Sequence, residues 1–211
     1  MKIISHRGFW HSSSEKNELV AFDRALSHGF GIETDIRDCG SNLVISHDFP
    51  KGIELGFENF LDLYCSKTKD LIEKPWLALN IKADGMAIDM LSSLKKFNIN
   101  EYFVFDMSFP EMLSYSKSHA NIFSRVSEYE SHNTFLEFSN GFWLDCFDTD
   151  WYPLEFIDNL LKFKNHVCIV SPELHSRDPA NIWNILKEIS NRDGLYICTD
   201  HPLQFSNLIF S

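Results

Sequence analysis

The chain has 211 residues, 44% of them apolar and 14% aromatic, with 30 acidic against 19 basic side chains and a formal net charge of −11. That apolar mass excludes a disordered chain, and the acidic balance argues against a nucleic-acid partner, which needs a basic face. No run of about 18 consecutive apolar residues occurs, so no membrane-spanning helix and no stable membrane insertion are expected.

From the N-terminus, a strand is predicted at Lys2–Ser5, then a helix at Glu18–Ser27 with Gly29 where a C-terminal cap would sit. Strands at Gly31–Ile36 and Leu43–Ser46 follow, then a helix at Phe57–Cys65 and a strand at Trp76–Ile81. The segment Met86–Lys96 reads as an amphipathic helix with Ile88, Leu91 and Leu94 on its apolar face. Further strands fall at Tyr102–Phe105, Ile122–Val126, Phe142–Phe147, Val167–Val170 and Leu195–Cys198, with helices at Phe109–Ser116, Pro153–Phe163 and Ala180–Ser190.

Strand and helix alternating in this way predict a parallel sheet covered by helices. The DCGSN segment between Ile36 and Leu43 is too short for a crossover helix, so the strands beside it form a hairpin. With Leu43–Ser46 set outside as a return arm, eight strands remain. They suit one compact (β/α)8 TIM barrel over residues 1–211, with no linker or internal repeat.

The segment MKIISHRGF reaches His6 and Arg7 before the apolar stretch of a secretory leader could form. The five cysteines, Cys39, Cys65, Cys146, Cys168 and Cys198, are scattered and contain no CxxC pair. Neither a zinc knuckle nor a disulfide framework is expected, and Cys146, Cys168 and Cys198 lie in apolar runs where a thiol packs as a small hydrophobe. The expectation is a reduced, cytoplasmic protein.

In such a barrel the reactive residues sit at the C-terminal ends of the strands. Here those ends carry His6, Arg7 and Gly8, then Glu33 and Asp35, then His47 and Asp48, then Asn80 and Lys82. Later ends carry Asp106, Arg125, Asp145, Glu173 and Asp200. Glu33 and Asp35 are two apart on one strand, so both project to one face and Thr34 to the other. Two carboxylates that close repel unless a cation or a proton lies between them; a half-exposed strand with two solvated acids accounts for them equally well. Histidine is the side chain best able to exchange a proton near neutral pH, and His6 with His47 suggests a base and an acid acting in sequence. Arg7 adds a planar cationic fork suited to a phosphate, and Lys82 a point charge. Phe9, Trp10, Trp143, Phe147 and Trp151 fall near strand ends, where they either line a pocket or simply pack the barrel.

ISHRG at 4–8, NELVAF at 17–22, GIETDIR at 31–37 and LVISHD at 43–48 together resemble the glycerophosphodiester phosphodiesterase family, within the wider phospholipase-C-like barrels. LNIK at 79–82 and CTDHP at 198–202 resemble two later motifs of that family, so the likeness reaches both ends of the chain. The resemblance implies a phosphoric diester hydrolase of lipid metabolism in which His6 and His47 are the acid–base pair. It further implies that Arg7 and Lys82 hold the phosphate and that Glu33 and Asp35 bind a divalent cation, Mg2+ or Ca2+. Two positions depart from the pattern. Asn80 stands where the family has a glutamate ligand, so it would ligate through a neutral carbonyl, with Glu173 as a further candidate. Lys16 replaces an acidic residue, with Glu15 beside it. The expected substrate is a small-molecule or glycan phosphodiester. The alternatives are a lyase forming a cyclic phosphate and a non-catalytic barrel that binds phospho-polyols.

Overall fold

The chain's inward-facing side chains change character along most of the strands, apolar at one end of the sheet and polar at the other, and this gradient makes the site. A computed structural model describes residues 1–130 and 136–210. In chain order the elements are β1 (Lys2–His6), α1 (Leu19–Ser27), β2 (Gly31–Cys39), β3 (Asn42–Ile45), α2 (Phe57–Thr68), β4 (Leu77–Ile81) and α3 (Ala87–Lys96). They continue with β5 (Tyr102–Phe105), α4 (Phe109–Lys117), β6 (Phe123–Val126), β7 (Gly141–Leu144), α5 (Leu154–Lys164), β8 (Val167–Val170), α6 (Ala180–Glu188), β9 (Leu195–Thr199) and α7 (Pro202–Phe210).

The sheet runs β5-β4-β2-β1-β9-β8-β7-β6, with β3 paired only to β2. All pairs along that path are parallel, whereas β2 and β3 pair antiparallel from Ile36↔Ile45 to Cys39↔Asn42, as the short DCGSN connection demands. A bridge between Val104 and Ile122 joins β5 to β6, with Val104 N–H donating to Asn121 O at 2.8 Å, and closes the barrel. The predicted (β/α)8 TIM barrel with its outer hairpin arm is therefore the observed fold.

Alternation with period two sends Ile4, Ala78, Phe103, Phe105, Phe123, Trp143, Cys168, Val170, Tyr196 and Cys198 into one apolar cluster inside the barrel. Phe103 stacks on Phe123 at 3.8 Å between ring centroids, and Phe105 on Trp143 at 4.0 Å. The opposite faces of the strands meet the helices in a second, larger layer that includes Ile32, Ile36, Phe22, Phe60 and Tyr64. One more alternation along five of the strands ends in a polar residue: Ile4 leads to His6, Ala78 to Asn80, Phe123 to Arg125, Trp143 to Asp145 and Cys198 to Asp200, whereas β5 and β8 end in Phe105 and Val170.

Some boundaries and faces differ from the sequence reading. In α3 the buried residues are Ala87, Met90 and Leu94, whereas Ile88 is 81% exposed; the apolar face is turned by one residue because Met90 competes for the same seam. β7 stops at Leu144 instead of Phe147, because Asp145 Oδ1 accepts the N–H of Cys146 at 2.9 Å and turns the chain away. α7 was not anticipated; it buries Phe205 against Trp183 of α6, 5.4 Å between centroids. Gly29 follows α1 at φ +74, the left-handed cap position that glycine favours. Among the described residues no disulfide joins the cysteines, and no helix is long and apolar enough to cross a membrane.

Phe103 is fully buried at the centre of the inner aromatic stack. Phe103→Ala is expected to destabilise the fold by about 3–5 kcal/mol in urea unfolding, the usual result of leaving a cavity where a phenyl ring packed.

Candidate active site

The polar ends of the strands enclose a cavity of about 320 Å³ lined by His6, Arg7, Glu33, His47, Asn80 and Lys82 on one side. Phe105, Asp106, Arg125, Trp143, Asp145, Phe147 and His175 line the other. Of the eight residues given catalytic, phosphate or metal roles in the sequence, six line this cavity; Asp35 lies behind Arg7 and Lys82, and Glu173 is also absent from the lining.

The first wall is built from β1 and β2. Register pairs His6 with Glu33 and, on the other edge of β2, Asp35 with Asn80, so four strand-end side chains stand side by side. Beyond His6 the chain turns through Arg7 at φ +56 and Gly8 at φ +85. A Cβ on Gly8 would lie 2.8 Å from Ala21 Cβ, so only glycine lets α1 come this close. The turn aims Arg7 N–H at Glu33 Oε2 (3.2 Å) and brings its guanidinium back so that Nε is 3.0 Å from Asp35 Oδ2.

Asp35 gathers the other partners. Lys82 Nζ lies 3.2 Å from its Oδ1, and Asn17 Nδ2 donates to its Oδ2 at 2.9 Å. Asn17 also accepts from Thr34 Oγ1 at 2.8 Å, and Asn17 N–H donates to Arg7 O at 3.0 Å. Burial opposes the charge on Asp35, but Arg7 and Lys82, helped by Asn17, hold its carboxyl below the ordinary value. Glu33 is fully enclosed and feels both burial and the Asp35 charge, which together push its carboxyl up to about 7.

His6 carries the proton-exchanging geometry. Its Nδ1–H donates to Asp200 Oδ1 at 2.7 Å, while Nε2 lies 3.9 Å from Glu33 Oε2. Burial alone would raise Asp200, but the His6 hydrogen bond outweighs it and the carboxylate stays charged. His47 sits at the rim with its side chain half exposed, and its Nδ1 pairs with Asp48 Oδ1 at 2.9 Å.

Glu173 serves this wall at one remove instead of joining the acids of β2. Its carboxylate accepts from the hydroxyls of Ser171 and Thr199 and from Asp200 N–H at 3.1 Å, so it fixes the loop that holds Asp200 against His6. Lys16 lies over the Trp10 ring at 4.3 Å, and Glu15 turns away to Arg24 at 2.8 Å and to the N–H of His11. Of the five aromatics at strand ends, Trp143 and Phe147 line the cavity; Phe9 packs on His28 and Phe30, and Trp151 on Tyr152 and Phe156.

Among the described residues no group of three or more His, Cys, Asp and Glu side chains is arranged to hold a metal. The oxygen donors at the head of β2 and β4 nevertheless suit a hard divalent cation. Asn80 Oδ1 is buried and accepts no hydrogen bond, and it lies in register beside Asp35 with Glu33 on the same face.

The second wall contains pairs that the sequence did not reveal. His175, in the turn after β8, places Nε2 2.7 Å from Asp145 Oδ1. Arg125 donates through Nε to Asp106 Oδ1 at 3.0 Å, and Asp106 raises the guanidinium above its ordinary value despite burial. Asp106, Arg125 and Asp145 were visible as strand ends. His175 and Asn17 were not singled out, since each lies in a turn whose position depends on a distant strand.

No protein-family model matches the sequence, and no curated protein matches it. In structure, the chain is similar to a glycerophosphodiester phosphodiesterase from Agrobacterium tumefaciens, at TM-score 0.72 and 16% identity over 98% of this chain and 99% of that one. The chain shares the fold of the glycerophosphodiester phosphodiesterases. It is also similar to an Oleispira antarctica phosphodiesterase in complex with the product sn-glycerol-3-phosphate, at TM-score 0.71 and 12% identity over 100% of this chain and 97% of that one. A Ca2+-dependent phosphatidylinositol-specific phospholipase C from Streptomyces antibioticus aligns at TM-score 0.58 and 11% identity over 99% of this chain and 95% of that one.

The raised carboxyl of Glu33 has a measurable signature without added cations. Between its ordinary value of 4.5 and about 7, the folded chain binds a proton there that the unfolded chain has lost. Stability from this residue therefore falls as pH rises through that window. Glu33→Gln is expected to flatten the fall in thermal-unfolding midpoint between pH 4.5 and 7.

Proposed function

We propose that this protein is a phosphodiesterase that hydrolyses the phosphodiester of a small polyol such as glycerol, or of a glycan. The observation that carries the reading is the His6–Asp200 pair at 2.7 Å, opening on a cavity that also holds Arg7 and Lys82. A histidine whose Nδ1–H is fixed by a carboxylate presents an unprotonated Nε2, the arrangement a general base requires. Agreement in fold with the phosphodiesterases described above is consistent with this chemistry.

His6 Nε2 takes the proton from the attacking oxygen, and the resulting imidazolium is stabilised by Asp200. Arg7 and Lys82 bind the non-bridging phosphoryl oxygens, loosening their hold on Asp35 as charge builds on the phosphate. His47, at the rim, returns a proton to the departing alkoxide. Glu33 Oε2 accepts the Arg7 N–H and so fixes the turn that carries the guanidinium. A divalent cation, Mg2+ or Ca2+, held by Glu33, Asp35 and Asn80 would supply further positive charge to the phosphoryl oxygens.

His6→Ala is expected to lower kcat on a glycerophosphodiester by roughly 10²–10⁴-fold with an unchanged circular dichroism spectrum. Retention of more than roughly a tenth of the rate would remove His6 from the chemistry. Phosphorus NMR of the products separates hydrolysis, which gives a monoester at once, from initial release of a cyclic phosphate.

Because one of the three donor side chains is neutral and Asp35 already contacts two cationic groups, affinity for Mg2+ or Ca2+ is expected to be weak, with Kd on the order of 1 mM by calorimetry. Asn80→Glu is expected to tighten it by roughly tenfold. An unchanged Kd would place the cation elsewhere.

A further inference from the structure

The barrel order puts β8 across the cavity from β4, so the wall bearing His175 faces the one bearing Lys82. If phosphate binds at Arg7 and Lys82, as the phosphodiesterase reading has it, this far wall meets one of the two alcohols that the phosphate joins. Its chemistry is specific. Arg125 and His175 are each backed by a carboxylate, Asp106 at 3.0 Å and Asp145 at 2.7 Å. Between the guanidinium and the imidazole lies the ring of Phe147, 4.6 Å from the His175 ring and 5.5 Å from Arg125 Cζ.

These groups are held in place from behind. Glu128 accepts the N–H groups of Phe147 at 3.1 Å and Asp148 at 2.8 Å, and Arg177 donates to Cys146 O at 2.9 Å. Asp145, only 4% exposed, is fixed by the N–H of Cys146 and fixes His175 in turn. His175 Nδ1 has no hydrogen-bond partner among the described residues, although the ring lines the cavity.

We infer that this wall selects a neutral, polyhydroxylated alcohol, a sugar or a cyclitol, as one of the two alcohols of the diester. Arg125 faces Asp106 and Glu130, and His175 faces Asp145, so the wall has no unmatched positive charge to attract a second anion. A trimethylammonium group would approach Arg125 with like charge and has no N–H to donate to Asp106 or Asp145, and an acyl chain would strip water from these polar groups without replacing their hydrogen bonds. Hydroxyls suit it because they donate to Asp106 and Asp145, accept from Arg125 and pair with His175 Nδ1, while the C–H face of a ring rests on Phe147. Phe105 and Trp143, stacked at 4.0 Å, form an apolar floor beneath.

The test compares kcat/KM for glycerophosphoinositol, glycerophosphoethanolamine and glycerophosphocholine in the unmodified chain, His175→Gln and Phe147→Leu. The unmodified chain is expected to prefer the inositol ester by about tenfold or more, and either variant to cut that ratio by about fivefold or more, chiefly through KM. Phe147 is only partly buried, so its variant reports even where His175→Gln does not fold. Absence of an inositol preference, or equal losses on all three esters, overturns the inference.

Failure to cleave any of the three would count against the phosphodiesterase reading, and calorimetric titration with inositol 1-phosphate and with phosphocholine then decides the inference by itself. Tighter binding of inositol 1-phosphate that Phe147→Leu abolishes supports it. Equal binding, or none, overturns it.

Discussion

A carboxylate whose side chain is 1% exposed cannot remain ionised unless charge and hydrogen bonds replace the water it lost, and Asp35 is such a group. The top of the barrel is arranged around that requirement. Arg7 reaches Asp35 by a left-handed residue followed by a glycine packed on α1, and Asn17 reaches it from a second left-handed residue at φ +63. Conformations of this kind cost about 1 kcal/mol or more each for residues other than glycine, and the convergence on one buried charge offsets them. Lys82 arrives just past β4, its own N–H donating to Ile36 O at 3.0 Å. On the phosphodiesterase reading the groups that neutralise Asp35 are the ones a phosphate would need, so both cations are held in place before any ligand arrives.

Glu33 is the other side of that arrangement. Arg7 and Lys82 contact Asp35 directly, and Glu33, two residues earlier on the same face, keeps only the Arg7 N–H and a distant imidazole. Its carboxyl therefore titrates near neutrality while its neighbour stays charged. Two acids with one environment would behave alike; the asymmetric placement of two cations makes one a fixed anion and leaves the other able to hold a proton or a cation.

The strands, the hairpin arm and the near wall of the cavity were legible in the sequence because each depends on short-range signals. Alternation with period two reveals which residues of a strand face inward, and the last inward residue is polar on strand after strand, as at His6, Asn80, Arg125, Asp145 and Asp200. The far wall was less legible. His175 meets Asp145 across 30 residues of sequence, and nothing local to PELH distinguishes a cavity histidine from a surface one. Glu173 shows the same limit in reverse, since a strand-end acid read alone resembles a ligand, whereas its partners Ser171, Thr199 and Asp200 make it a brace for the His6 dyad. Ile88 was misplaced because a helix face read from spacing has an uncertainty of about one residue, which the buried Met90 resolves.

The net charge of −11 acquires a different meaning once the site is in view. An acidic surface repels anions at long range, and that field is screened over about 8 Å at physiological ionic strength. Around the cavity the balance is local: Arg7 and Lys82 oppose Asp35, Arg125 opposes Asp106 and Glu130, His6 is tied to Asp200 with Glu33 farther off, and His175 is tied to Asp145. On the reading proposed above, a phosphate displacing Asp35 from its two cations keeps them satisfied, whereas a neutral, hydroxyl-rich alcohol on the opposite wall disturbs no existing pair. The two walls therefore differ: one exchanges an anion that the empty barrel already holds, and the other adds hydrogen bonds to pairs that stay intact. In both, strand-end side chains, more than long loops, set which partnerships exist.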